Sequence, residues 1–360
     1  MIALAPLSAL YGAAIRARLA LYRSGALKTH SAGAPVISVG NLTTGGTGKT
    51  PLVEWLARGV AERGRRVCVL TRGYGRADER RRVVVSDGAR LLADAREGGD
   101  EPRLLAERLL GAASVVSAAD RVAAARWAVE NLGAQVFVLD DGFQHVRLKR
   151  DLDVVTIDAT SPWGGRRLLP RGRLREPVAG LRRADCVVIT RADLAEDLDG
   201  VRAEVERLTR AGALVVTSRL RTLGARPLSR EAESSSQSET GAAVFNLEAG
   251  MLSLEDVPRP LAAFCAVGNP LAFFSQLRAE AVQLNFERAF ADHHAYTQSD
   301  AEALEVEAAK RGARALLTTA KDAVKLRALY FSLPVYVVET SLEFDDEDAL
   351  RKAVSEAVER

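Results

Sequence analysis

Residues 45–50 read Gly-Gly-Thr-Gly-Lys-Thr. They follow an apolar run, Val36-Ile37-Ser38-Val39, and precede a helix-like segment opening at Pro51. Strand, glycine-rich turn, Lys-Thr and helix in that order form a phosphate cradle. The glycines let main-chain N–H groups converge on phosphate oxygens, and the helix adds the positive end of its dipole. Thr44, Gly45, Gly46, Thr47, Gly48, Lys49 and Thr50 are the candidate cradle residues. Lys49 would reach the β- and γ-phosphates, and the Thr50 hydroxyl would sit on Mg²⁺. The usual motif has a glycine where this chain has Thr43, so Gly45 and Gly46 supply the freedom from another register. Position 44 is threonine, which excludes the variant loop carrying a second signature lysine. The segment implies that the chain handles a nucleoside triphosphate.

Strand-like and helix-like runs alternate around this turn. Strands are expected at Pro35–Val39, Arg66–Leu70, Ser114–Ser117, Ala134–Leu139, Leu152–Asp158, Asp185–Thr190 and Ala213–Ser218. Leu52, Trp55, Leu56 and Val60 mark one amphipathic helix, stopping at Gly64. Val122, Arg126 and Val129 mark a second, stopping at Gly133. The rhythm predicts an α/β fold of P-loop NTPase type, a mostly parallel sheet with helices on both faces. Ligands then bind at the carboxyl ends of the strands, where the cradle lies. A Ser/Glu/Gln-rich stretch, Ser229–Thr240, lacks apolar periodicity and reads as linker. Beyond it come strands at Ala262–Val267, Ala315–Thr319 and Val335–Glu339, with helices around Ala272–Arg278 and from Lys321. The expected division is an N-terminal helix over 1–30, a P-loop domain over 31–225, a linker over 226–260 and a smaller α/β domain over 261–360.

A net charge of +3 gives no global polyanion-binding signature and no reason to expect nucleic acid. Cys68, Cys186 and Cys265 all lie in apolar runs, which argues for a reducing compartment and against disulfides or a metal cluster. No acidic residue precedes Glu54, while Arg16, Arg18, Arg23 and Lys28 punctuate an apolar background. Leu4, Leu7, Tyr11, Ile15, Leu19 and Tyr22 fall on one helical face. The uncharged run Met1–Ile15 is too short to span a bilayer. Two readings stay open: a basic amphipathic helix on an anionic membrane surface, or a helix packed on the protein's own core.

Further chemistry sits at strand ends. Ala134–Leu139 runs into Asp140-Asp141-Gly142-Phe143-Gln144-His145, and a P-loop enzyme needs such a carboxylate for the Mg²⁺ shell. Neighbouring side chains of a strand point in opposite directions, so one aspartate is expected to face the metal and the other to orient its surroundings. His145 reads equally as ordering this turn or touching substrate. Gly98-Gly99-Asp100-Glu101-Pro102 opens a helix, where Asp100 is either a cap or a base accepting a hydroxyl proton. Arg166, Arg167, Arg171, Arg173 and Arg175 crowd one Gly/Pro-rich loop, as an anion clamp or as a solvated basic loop. Asp292-His293-His294 places two histidines off a common face, which disfavours a dedicated metal site. Thr318-Thr319-Ala320-Lys321-Asp322 leaves capping and a cleft role equally open.

Taken together, these residues resemble the tetraacyldisaccharide 4′-kinases, the lipid A 4′-kinases of Gram-negative bacteria. The resemblance is carried by Val39-Gly40-Asn41, the cradle with Pro51, Leu70-Thr71-Arg72-Gly73-Tyr74-Gly75 and Gly99-Asp100-Glu101-Pro102. It continues through Asp140–His145, Leu168-Leu169-Pro170, Leu174-Arg175-Glu176-Pro177, Gly268-Asn269-Pro270 and Asp292-His293-His294. It implies ATP- and Mg²⁺-dependent phosphorylation of the 4′-hydroxyl of an acylated glucosamine disaccharide 1-phosphate, giving lipid IVA. It also implies a peripheral location on the cytoplasmic face of the bacterial inner membrane. Lys49 and Thr50 then bind phosphate and metal, Asp140 and Asp141 complete the metal site, and Asp100 is the base supported by His293. Substrate-binding candidates are Arg72, Glu101, Gln144, His145, Arg171, Arg175 and Glu176. Trp163-Gly164-Gly165-Arg166 departs from the family's more usual Asn-Gly, and Arg171 and Arg173 are additional. Two alternatives are a P-loop enzyme with a soluble acceptor and a membrane-associated nucleotide switch. The first leaves the acid-free N-terminus unexplained, and the second has no use for a base at Asp100.

Overall fold

The computed structural model describes residues 4–228 and 250–359. Helix α1 (Ala5–Arg23) leads to β1 (Val36–Asn41), the glycine-rich loop and α2 (Lys49–Ala61). Next come β2 (Val67–Thr71), β3 (Val83–Ser86), the short α3 (Ala95–Gly98), α4 (Asp100–Arg108), β4 (Ala113–Ser117), α5 (Arg121–Leu132), β5 (Val136–Asp140) and β6 (Leu152–Asp158). After β7 (Cys186–Thr190), α6 (Leu198–Leu208) and the long β8 (Leu214–Pro227), the description resumes before β9 (Leu261–Cys265). The remaining elements are α7 (Pro270–Ala279), β10 (Leu284–Ala289), α8 (Gln298–Lys310), β11 (Ala315–Thr319), α9 (Ala320–Leu326), β12 (Val335–Phe344) and α10 (Glu347–Val358).

All the described strands share one sheet, ordered β10-β9-β11-β12-β8-β7-β6-β1-β5-β2-β4-β3. β1 lies between β5 and β6 in parallel register, Val39 opposite Asp140 and Asn41 opposite Thr156. The cradle, the paired aspartates and the end of β6 therefore emerge on one edge. β8 pairs parallel to β7 through Thr217, then runs on and pairs antiparallel to β12 from Ser218 to Pro227. β9, β10 and β11 follow the direction of β12. The second strand set is thus inverted, and the carboxyl edges of the two sets face each other. β8 passes the boundary expected at residue 225, and β9 to β12 extend the same sheet. Much of the expected linker, including Ser229–Thr240, lies outside the described residues.

The parallel strands are buried on both faces, which explains their near-continuous apolar runs. On one face Leu52, Val53, Leu56 and Val60 of α2 pack against Ile37, Val39, Val69 and Val138. Each such leucine contributes about 1.5–3 kcal/mol of hydrophobic stabilisation. On the other face α5 buries Val122, Ala124, Ala125 and Ala128, while Arg126 points to solvent, unlike the stripe expected for it. Asp120 caps α5 through Val122 N and Ala123 N, and Gly133 ends the helix in the left-handed conformation. Cys68, Cys186 and Cys265 are free and buried. A buried ion network crosses between the strand sets. Arg108 on α4 pairs with Glu54 on α2 and Glu339 on β12, and Glu339 also accepts from Arg226 on β8 at 2.8 Å.

Candidate active site

A cavity of about 870 Å³ separates the two carboxyl edges. Its walls include the glycine-rich loop, Asp140, Asp141, Glu101, His293 and Lys321, with Tyr11 and Ile15 of α1 at another side. The loop is shaped by close approaches. Gly45 and Gly48 have φ of 112° and 77°, which L side chains rarely adopt. A Cβ on Gly45 would lie 2.0 Å from an Arg173 guanidinium nitrogen. Thr47 turns inward, its Oγ1 bonded to Thr156 Oγ1 at 2.7 Å and accepting from Asn41 Nδ2 at 2.9 Å. Thr44 N donates to Arg173 O at 2.7 Å, which ties the loop to the arginine-rich segment. Lys49 and Thr50, in the first turn of α2, line the cavity beside this loop.

Asp140 ends β5, but Asp141 leaves the strand with φ 53°. Strand alternation therefore does not apply, and both aspartates line the cavity. Asp141 is clasped by Lys49 at 3.5 Å and Arg175 at 2.5 Å. Burial would raise its pKa, yet Lys49 and Arg175 outweigh burial and hold it at about 2. Asp140 has the opposite balance. Burial, reinforced by Glu101 and Asp141, pushes it up to about 7 against the pull of Lys49 and Arg121. A cation beside Asp140 would relieve that crowding. Among the described residues no group of three or more His, Cys, Asp or Glu side chains could hold a metal. The donors suit an ion shared with phosphates, because Mg²⁺ is ordinarily held by one or two carboxylates plus phosphate oxygens.

Asp100 opens α4 next to Glu101. Gly99, with φ 100°, lets this start approach Gly73, where a Cβ would lie 3.2 Å from the Gly73 Cα. His293 Nδ1 is 3.7 Å from Asp100 Oδ2. Lys321 Nζ lies 2.9 Å from Glu101 Oε1 and 3.3 Å from Asp292 Oδ1. Burial opposes the lysine's charge, but Glu101 and Asp292 raise its pKa above the ordinary value. His294 is drawn elsewhere, 3.1 Å from Asp300 and stacked on Phe290.

The other candidates separate by location. Arg72, Glu101, Gln144, His145 and Arg175 line the cavity, and Arg72 is exposed. Gln144 Nε2 is engaged internally, donating to Asn41 O at 2.9 Å and Glu176 Oε1 at 2.8 Å. Burial, then Arg121, Arg150 and Arg18, lower His145 to about 4, so it is neutral at pH 7. Glu176 is buried against Arg183 and Gln144, away from the cavity walls. Arg171 is exposed and also outside those walls. Three cavity arginines escaped sequence reasoning, Arg108 of the ion network among them. Arg121 donates to Asp140 O at 2.9 Å, and Arg191, in the left-handed conformation, pairs with Asp158. Arginine in the first turn of α5 opposes the helix dipole, and that was the available signal.

Helix α1 docks by Ser8, Tyr11 and Gly12. Ser8 Oγ donates to Leu168 O at 2.9 Å and Tyr11 OH to Arg175 O at 2.7 Å. A Cβ on Gly12 would meet Leu168 Cδ1 at 2.6 Å. Tyr11, Ile15, Leu19 and Tyr22 of the expected stripe are half-buried here, while Leu7 of that stripe is exposed with Leu10 and Leu21. Both readings of the helix thus find a face. No helix among the described residues is long and apolar enough to cross a membrane.

Comparison with known proteins adds independent findings. The family model described as tetraacyldisaccharide-1-P 4′-kinase matches residues 1–359. A tetraacyldisaccharide 4′-kinase of Anaeromyxobacter dehalogenans is 45% identical over 323 residues, spanning 88% of this chain and 79% of that protein. One from Geobacter metallireducens is 38% identical over 356 residues, spanning 99% and 97%. The crystal structure of LpxK from Aquifex aeolicus in complex with ATP is similar with a TM-score of 0.76 at 30% identity, covering 99% of this chain and all of that one.

Proposed function

The chain belongs to the tetraacyldisaccharide-1-P 4′-kinase family and is an ATP-dependent kinase, and from that premise we propose how its residues transfer phosphate and to what. The acceptor is the 4′-hydroxyl of a tetraacylated glucosamine disaccharide 1-phosphate, and the product is lipid IVA. The main-chain N–H groups of residues 45–48 and the Lys49 ammonium hold the ATP phosphates, the Thr44 N–H being engaged with Arg173 O. Thr50, Asp140 and Asp141 would hold Mg²⁺, which neutralises charge on the β- and γ-phosphate oxygens. Asp100 takes the acceptor's hydroxyl proton as its oxygen bonds to the γ-phosphorus and the bond to the β-phosphate oxygen breaks, releasing ADP. A positioned base of this kind contributes roughly 10²–10⁴-fold. The observation that carries the reading is His293, which lines the same cavity as Lys49 and holds its Nδ1 3.7 Å from Asp100, just behind the wall formed by Glu101. Arg175 braces Asp141 and, through its carbonyl, receives Tyr11 of α1, so the helix and the metal site share one support.

The outer side of α1 bears Leu7, Leu10 and Leu21, 54%, 69% and 46% exposed, on a helix whose charged residues, Arg16, Arg18 and Arg23, are all basic. That pattern suits a helix lying in the interface of an anionic bilayer. The protein works peripherally on the cytoplasmic face of the inner membrane, where the acyl chains of the acceptor stay in the lipid.

Incubation with γ-labelled ATP and a tetraacyl disaccharide 1-phosphate, with its deacylated form as control, tests the acceptor. Label transferred to neither sugar would overturn the assignment, and equal transfer to both would remove the acyl chains from recognition. The triple substitution Leu7→Ser, Leu10→Ser and Leu21→Ser is expected to abolish co-sedimentation with anionic vesicles. Unchanged sedimentation would leave α1 as a packing element.

A further inference from the structure

Lys321 is a cavity cation that neither the proposed phosphate cradle nor the proposed metal site uses. Its Nζ lies 3.2 Å from His293 Nε2, besides its contacts with Glu101 and Asp292. An ammonium group has three hydrogens and no lone pair, so in this contact it can only donate. His293 Nε2 must then accept, which leaves the ring proton on Nδ1, the nitrogen turned toward Asp100. The 3.7 Å separation from Asp100 exceeds a hydrogen bond, as is common before substrates tighten a catalytic site. The histidine backbone is held at φ 60°, a conformation that non-glycine residues keep only when their surroundings enforce it.

We propose that Lys321 is a positioning residue: it fixes His293 as the Nδ1–H tautomer, so that the ring donates to Asp100 and aims its carboxylate at the acceptor hydroxyl. The inference rests on the reading of Asp100 as the base. Two other roles are physically available to this lysine. It could serve only to anchor Glu101, or it could bind a phosphate of ATP directly.

Proton–nitrogen correlation spectra of the full-length protein, ¹⁵N-labelled in its four histidines, read the tautomer directly. His293 is assigned by its loss in His293→Gln. At pH 8 the wild-type ring should carry its proton on Nδ1, and Lys321→Met should shift the population toward Nε2–H. The same substitution should lower kcat about 10- to 100-fold, the scale expected for a misaligned catalytic group, with KM for ATP within about twofold. Lys321→Arg, which also can only donate, should restore the tautomer and most of kcat. An Nε2–H ring in the wild type, or an unchanged tautomer in Lys321→Met, overturns the proposal. A raised KM for ATP at unchanged kcat also overturns it and makes Lys321 a phosphate ligand. The spectra need no turnover, so they separate this inference from the reading of Asp100, which stands or falls on Asp100→Asn activity.

Discussion

Residues 36–61 supply the proposed phosphate-holding corner of the cleft from one strand, one loop and one helix. The corner around Asp100 draws instead on the start of α4, the loop after β10 and the first turn of α9. The first is organised by main-chain geometry: glycines at positive φ, a buried Thr47 and an anchored Thr44. The second is organised by side-chain charge, with Lys321 among Glu101, Asp292 and His293. A corner built from backbone tolerates exchange of side chains that face away from the ligand. One built from opposed charges is sensitive to every member.

The largest effect should come from Asp100→Ala, which is expected to cut turnover by roughly 10²–10⁴-fold while ATP binding, measured by calorimetry, stays nearly intact. Lys49→Ala should lower turnover by roughly 10³-fold, on the scale of losing one preorganised charge-stabilising donor, and weaken ATP binding as well. Should the two variants exchange these binding phenotypes, the division between corners fails. Glu339→Leu leaves Arg108 and Arg226 without their shared partner in the network joining α2, α4 and the β8–β12 pair. Urea unfolding should show a loss of about 3 kcal/mol. The smallest effect concerns Asp120, the α5 cap outside both corners. Asp120→Ala should cost about 1 kcal/mol at neutral pH. Burial would raise the Asp120 pKa, but hydrogen bonds from Ala123 N and Arg147 prevail and lower it. Its stabilisation is therefore full above the ordinary aspartate range and lost as pH falls through the depressed value. Stabilities of variant and wild type should converge in acid.

That contrast also explains what the sequence made legible. The cradle could be read because its parts are contiguous, and the parallel strands because double-sided burial makes them apolar runs. β10 went unassigned as a strand for the converse reason: it is a sheet edge, and Leu284-Asn285-Phe286-Glu287-Arg288-Ala289 mixes charge with half-exposed apolar residues. β3, the opposite edge, was missed although Val83-Val84-Val85 is itself an apolar run, because it is only four residues long. The joining of β9 to β12 to the first strand set depends on β8 running on past β7, which no local pattern signals. Within the site, Asp100 and His293 were singled out before their proximity was visible, whereas Lys321 was left between capping and cleft. Loop side chains were hardest, because no periodicity fixes their direction. Glu176 turns inward to Arg183, and Arg171 faces solvent.

The antiparallel β8–β12 ribbon carries a mechanical consequence. Halves stitched by consecutive main-chain hydrogen bonds cannot swing apart as bodies on a slack tether would. Breathing of the jaws must be taken up as torsion along the ribbon, most readily at Gly224, with φ 149°, where the pairing slips between Glu339 and Thr340. The kinase is thus a spring clip, its jaws joined by rungs of backbone and braced by the ions of Arg108, Glu54 and Glu339.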